Sequence, residues 1–440
     1  MPAYGWLILT LDFLYCTNCQ NSRHKFFIVL YYFAIYSNDS GIITALMIDW
    51  KNKWVYFALE ALNSFACSYF FNFLFFFLRD NYHFGNRENL AVTAFHGLIY
   101  TIASWQGGKF IEKNGQVRSL KIGIIGMILF LICGIQFSRP LPAVLLILLG
   151  WTISMCLIWP AIESLVSLNE PSKELPRMVG IYNAVWAGSS AVAYFIGGAL
   201  YEHLGWKSLF WLPPIIHIIQ LILLKKFSNE KHQLVNKSNN NEPEQCETNS
   251  NIPDKSTAEK FLKMAWIANP FAYVAMNTFL AVIPEIAKNQ NLNPTQAGLF
   301  CSIWFFVRLG AFILLWKWDG WHYRFFWLFK AFIFLIAGFL ILLISNNLLV
   351  LVFAQVIFGW AVGLIYYSSL YYAMHVGEAG ASHGGLHEAA IGAGIFLGPA
   401  IGSSTLYLLP QYPNVAIYAI ATLLLVALFV MILLNYKKQK

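Results

Sequence analysis

Charge is what this sequence has least of. Only 11% of its 440 residues are Asp, Glu, Lys or Arg, where a water-soluble domain carries about 25%. A chain with 58% hydrophobic residues and so little charge cannot cover itself for water, which leaves lipid as its solvent. The formal net charge of +8 fits loops that face an anionic leaflet, and no nucleic-acid partner is expected. The first residues, "MPAYGWLILTLDFLYC", lack the basic lead of a signal peptide. The 7 cysteines suggest no disulfide framework, and Cys16 and Cys19 have only His24 near them, so no metal is expected. Phosphate loops, nucleophile elbows and nucleotide folds are missing too, so neither an enzyme nor a cofactor is expected. Runs such as "FFNFLFFFL" do not alternate apolar with polar residues, which excludes the strands of a membrane barrel.

What is present is a series of long apolar runs. A bilayer core takes about 20 apolar residues per helix. On that measure twelve helices are expected, at 54–78, 89–107, 119–138, 142–167, 177–200, 206–224, 264–287, 295–317, 325–345, 348–375, 385–409 and 414–436. The polar segment 225–263 is rich in Asn, Ser, Lys and Glu, cannot bury a core and reads as a disordered linker. It divides the chain into a six-helix bundle at 47–224 and another at 264–440. Residues 1–46 fit neither bundle: Met47 reads as the real start with 1–46 an extension in front of it, the alternative being one extra hydrophobic segment. With the linker placed in the cytoplasm, 19 Lys and Arg lie on that side and 5 on the other. Both ends of the twelve-helix unit are therefore expected to be cytoplasmic.

The stretch "GGKFIEKNGQVR" at 107–118 concentrates charge and glycine between two apolar runs. Gly108, Glu112, Lys113 and Gly115 stand at the spacing of the loop between helices 2 and 3 in the major facilitator superfamily of secondary transporters. The twelve-helix layout extends that resemblance over 47–440. Glu112 stands where the family usually has Asp, Gln116 and Val117 replace two bases, and Arg118 supplies one base late. The second half repeats the loop only in degenerate form, with Asp319, Gly320 and Arg324. "GAGIFLGPAIG" in helix 11, with Gly394, Gly398, Pro399 and Gly402, is similar to a glycine-proline motif of the family and also suits close helix packing.

The resemblance implies an all-α polytopic membrane protein, two six-helix bundles around a central cavity. It further implies a multi-pass protein of the bacterial inner membrane, acting as a monomer. The function implied is secondary or facilitative transport of a small solute by alternating access, with protons as the expected coupling ion. The loop then acts as a gate, with Gly108 allowing close helix approach and Glu112, Lys113, Gly115 and Arg118 forming a latch. A polytopic membrane enzyme, an acyl or glycosyl transferase, is the alternative, and His383, His387 and Glu388 are its one cluster. They stand at the entrance to helix 11, where capping or metal binding by the two histidines also suits them.

Polar residues inside apolar runs are costly and mark candidate pathway positions. On helix 1, Glu60, Asn63, Ser64, Ser68 and Asn72 share about half the circumference. His96 and Tyr100 fall on one row of helix 2, with Ser104. Arg308 lies deep in helix 8 and needs an anionic partner, either Glu60 or the substrate, which makes an anionic solute the first expectation. Asn269 and Asn277 on helix 7 and Tyr366 and Tyr367 on helix 10 complete the set. Glu163 reads as an interfacial cap near the end of helix 4.

Overall fold

The computed structural model describes residues 40–168, 170, 175–234, 255–375 and 381–436, with side chains described at 53–168, 170, 177–226, 256–373 and 384–436. Residues 1–54 and 55–440 form two separate units, and the architecture that follows is that of the second. The first half consists of α1 (Ser40–Tyr82), α2 (Asn86–Asn114), α3 (Gln116–Phe137), α4 (Leu141–Met155), α5 (Trp159–Ser167), α6 (Leu175–Leu204) and α7 (Ser208–Leu234). The second half consists of α8 (Lys255–Asn289), α9 (Pro294–Lys317), α10 (Phe325–Ile344), α11 (Leu348–His375), α12 (Ala381–Leu408) and α13 (Val415–Tyr436). Expectations for 1–39 and 235–254 lie outside the described residues. The described ends of the expected linker are helical, since α7 runs on to Leu234 and α8 begins at Lys255.

Among the described residues, 11 helical segments are long and apolar enough to cross a membrane, with α4 and α5 forming one of them. The remaining crossing is α2, 29 residues long. Its own sequence explains its lower hydropathy: Arg87, Glu88, His96, Lys109, Glu112 and Lys113 all lie on it. Twelve crossings result, as the apolar runs suggest. Bulky side chains such as Phe353 (63% exposed) and Leu349 (79% exposed) stand on the outer surface, as suits a lipid solvent and not water.

Local chemistry sets the joints. Gly115 joins α2 to α3 at φ +84°, a conformation that disfavours any residue with a Cβ. Asn293 starts α9 by accepting the Gln296 amide at 2.8 Å while Gln296 Oε1 accepts the Asn293 amide at 3.1 Å, with Pro294 in the first turn. Crossing four is not the continuous helix expected at 142–167. Pro160 has no N–H to donate to the carbonyl of Cys156, and the chain unwinds over 156–158 between α4 and α5. Gly107 on α2 fills the space beside the freed carbonyl: a Cβ there would lie 2.9 Å from Cys156 O.

The halves repeat one packing scheme. In the first, α3 packs on α4 and α7, and α2 packs on α4; in the second, α10 packs on α11 and α13, and α9 packs on α11. Rings fill both interiors, with Phe70 and Trp151 4.8 Å apart in the first half and Phe279 and Phe358 5.8 Å apart in the second. The halves meet along two seams, α2 against α12 and α6 against α9. A pseudo-twofold that exchanges each crossing with the one six later carries either seam onto the other.

Candidate functional site

A cavity of about 140 Å³ lies between the halves. Both contribute to its wall: α1, α2, α4, α5 and α6 from one side, α8, α9, α11 and α12 from the other. Of the residues singled out in the sequence, Ser68, Asn72, His96, Tyr100, Asn277, Arg308 and Tyr366 line it. Four others do not. Glu60, Asn63 and Ser64 are fully buried beside it, one to two turns from Ser68 along α1. Tyr367 faces away, into a ring cluster with Trp321 at 5.8 Å and Phe312 at 5.9 Å.

Arg308 is the cation of the cavity. It is 2% exposed, and neither its Nε nor its Nη2 has a hydrogen-bond partner. Three rings surround the guanidinium: Trp186 at 4.3 Å, Phe305 at 4.8 Å and Trp304 at 5.1 Å. Such contacts are worth about 2 kcal/mol when desolvated, but they accept no N–H. The expected pair with Glu60 does not form. Glu60 Oε1 instead accepts Ser64 Oγ at 2.5 Å and Trp159 Nε1 at 3.1 Å. Trp159 reaches it because the break in crossing four turns the first residue of α5 toward α1.

The acids of the wall are Glu163 and Glu388, which sequence reasoning assigned to caps and an entrance. Glu388 lies seven residues into α12, about 10 Å from its start. It is 6% exposed and accepts a hydrogen bond from Tyr100 Oη on the other half. The expected helix began four residues later, at 385, and that shift alone moved Glu388 from the wall to the entrance. Glu163 lines the cavity from α5, half-buried, close to Gly384 of α12. His387 is buried next to Glu388, with Nε2 3.3 Å from Asn269 Nδ2 and 3.4 Å from Ser369 Oγ. The His383 side chain lies outside the described residues. No cluster that could hold a metal ion occurs among the described residues.

His96 is fixed as well as buried. Its Nδ1 lies 2.8 Å from Thr152 Oγ1, and the Thr152 hydroxyl already donates to Leu148 O at 2.7 Å. Thr152 can then only accept, so Nδ1 carries the proton. Asn277 donates to Tyr273 O at 3.1 Å, and Tyr366 stacks on Trp186 with centroids 5.1 Å apart. Tyr182, Trp186 and Tyr273 are wall residues that an apolar reading of their helices overlooked.

The cavity is bounded by contacts between the halves toward both ends. On the side of the 107–118 loop, a Cβ at Gly385 would lie 2.8 Å from Gly108 Cα. Glu112, Lys113 and Arg118 are exposed around that contact. On the opposite side, Arg79 Nη1 donates to Pro284 O, and Ser403 Oγ donates to Arg87 O at 3.0 Å. There too, Thr295 Oγ1 donates to Glu202 at 2.7 Å.

Comparison with known proteins agrees with this layout. Residues 56–268 match the family model described as Major Facilitator Superfamily. Quinolone resistance protein NorB of Staphylococcus aureus, in strains JH9 and Newman among others, is 29% identical over 136 residues. That alignment takes in 31% of this chain, and the chain spans only 28% of the length of these curated relatives. A POT family transporter, solved by crystallography in complex with 5-aminolevulinic acid, superposes with a TM-score of 0.62 at 13% identity. The superposition covers 89% of this chain and 97% of that one. At that identity the likeness is one of fold. The resemblance first carried by the loop at 107–118 is thus borne out: this is a multi-pass membrane protein with the major facilitator fold.

Proposed function

We propose that this protein is a secondary transporter that moves a small solute bearing an anionic group by alternating access of its two halves. The observation that carries the proposal is Arg308, buried without a hydrogen-bond partner for Nε or Nη2 in a cavity between those halves. An arginine at this depth costs several kcal/mol unless something satisfies its donors. A carboxylate or phosphate accepting two of them does so in the geometry the guanidinium favours. The cavity is about the size of an engineered one of about 150 Å³ that accepts benzene, which suits a solute of that scale. Glycine contacts between the halves support rocking about the cavity, with the 107–118 loop as one gate. Protons are the proposed coupling ion. Glu60, Glu163 and Glu388 gather at one side of the site, and no Lys or Arg pairs with them among the described residues.

The position of Glu388 in the cavity wall, and the pairing of the halves by a pseudo-twofold, support transport over a membrane-face enzyme. The excess of Lys and Arg on the 107–118 side supports a cytoplasmic location for that side and for both ends of the twelve-helix unit.

The test is uptake into proteoliposomes loaded with and without a pH gradient, using small carboxylates, phosphates, neutral sugars and amines. Arg308→Ala is expected to lower uptake of the anionic solute at least about tenfold, and Arg308→Lys to restore part of it. Wild-type rates and affinity in Arg308→Ala would defeat the proposal. Glu60→Gln is expected to abolish accumulation driven by the pH gradient while leaving exchange intact.

A further inference from the structure

Arg308 and the acids of the wall share the cavity without neutralising one another. No ion pair joins Arg308 to Glu163 or Glu388, yet all three lie within electrostatic reach of both Tyr273 and Tyr366. The two tyrosines are therefore near both a cationic pole and an acidic pole. The cationic pole lies under the Trp186 ring at 4.3 Å, and Glu163 of the acidic pole sits beside Gly384, next to the Gly108–Gly385 contact.

This arrangement discriminates among solutes of the size the cavity holds. A simple anion would satisfy Arg308 but bring no cation to the two carboxyl groups, whose charged forms would stay buried and unpaired. A simple cation would meet the carboxyls and be repelled by Arg308. A neutral solute would leave the Nε and Nη2 donors of Arg308 unmet, a cost of about 1–3 kcal/mol for each such group. A solute carrying both charges satisfies both poles and adds no net charge to a buried site.

We infer that the substrate is a small zwitterion, an aminocarboxylate whose carboxylate lies on Arg308 and whose ammonium group lies against Glu163 and Glu388. This rests on the anionic-group reading above and adds the second pole. It also gives the Tyr100–Glu388 hydrogen bond a part in the cycle. An arriving ammonium competes with Tyr100 for the same carboxyl and so acts on a bond that ties one half to the other.

The experiment is binding to the purified full-length protein in nanodiscs of three probes with one carbon chain: 5-aminopentanoate, pentanoate and pentylamine. Glycine, 4-aminobutanoate and 6-aminohexanoate then vary the separation of the charges. The expected result is that 5-aminopentanoate or one of its length variants binds at least about tenfold more tightly than pentanoate or pentylamine, the effect of one charge-assisted hydrogen bond. Glu388→Gln and Glu163→Gln keep the side-chain shape, and each is expected to reduce that preference over pentanoate by about tenfold. Arg308→Gln is expected to reverse the preference in favour of pentylamine. If pentanoate binds as tightly as every aminocarboxylate and loses binding in Arg308→Gln, the zwitterion inference is overturned while the anionic-group reading stands. If none of the probes binds, or if binding ignores Arg308, both fall.

Discussion

The two seams between the halves are equivalent by topology and unlike in detail. Along α2–α12 the tight points lie at the 107–118 end and mid-membrane. A Cβ on Gly385 would meet the Gly108 backbone at 2.8 Å, and one on Gly392 would meet Thr101 Cα at 2.8 Å. Toward the opposite end a Cβ on Gly402 would meet side chains and no backbone, Leu90 at 3.1 Å and Ile420 at 3.3 Å. Along α6–α9 the order is reversed. Gly198 and Gly298 face backbone near the opposite end, whereas Gly188 has only Leu309 methyl carbons at 3.6 Å and 3.9 Å. Each seam is thus closed by backbone contact at a different end of the cavity. Backbone contact is all-or-none, because a helix cannot yield a few tenths of an ångström as the tip of a side chain can. Closures at opposite ends are what the proposed alternating access requires.

The largest expected effect comes from spoiling one tight point at a time. Gly385→Leu should hold the 107–118 end apart and Gly198→Leu the opposite end, each at a cost of about 1–3 kcal/mol to its closed form. Uptake should fall about tenfold or more in both. A cysteine introduced into the cavity wall should become more reactive from the 107–118 side in the first variant and from the opposite side in the second. The same pattern in both would erase the distinction between the seams. Next in size is Tyr100→Phe, which removes the hydrogen bond across the halves to Glu388. A bond to a charged group is worth about 1.5–3 kcal/mol, so the occupancy of the closed form read by the same labelling should drop about tenfold. Thr295→Val removes an exposed contact to Glu202, and such surface contacts are worth about 0–1 kcal/mol, so uptake should change less than about fivefold. Smallest is Gly188→Ala at the loose part of α6–α9. The new methyl finds ordinary contact, helix propensity gains about 0.5–1 kcal/mol, and thermal unfolding in detergent should shift up slightly with uptake unchanged.

Much of this was legible in the chain because a bilayer fixes helix length and charge placement. The twelve crossings follow from run length. Gly107, Gly108 and Gly115 could be singled out because small residues and charge stood together where neither suits lipid. Arg308, His96, Tyr100 and Asn277 could be found because polar groups in apolar runs are expensive. What was not legible depended on a few residues of register or on contacts remote in sequence. Glu388 changed role when α12 began four residues earlier. Glu60 was expected beside Arg308 from similar depth, but depth does not fix rotation about the bundle, and its partners are Ser64 and Trp159. The rings that enclose Arg308 come from α6 and α9, and no local pattern ties Trp186 to an arginine 122 positions away.

The unwound stretch at 156–158 has a consequence in time. The second half carries no matching break, since α11 runs unbroken from Leu348 to His375. One side of the cavity is therefore a solid lever and the other contains a joint, beyond which only the 9 residues of α5 need to turn. Swinging so short a piece belongs to the nanosecond-to-microsecond range, while displacing a whole bundle takes microseconds to milliseconds. Trp159 sits on the joint with its indole on Glu60, and its emission would record a quick local step ahead of the slow global one. In the proposed cycle a solute would then be gripped before the bundles commit to letting it through.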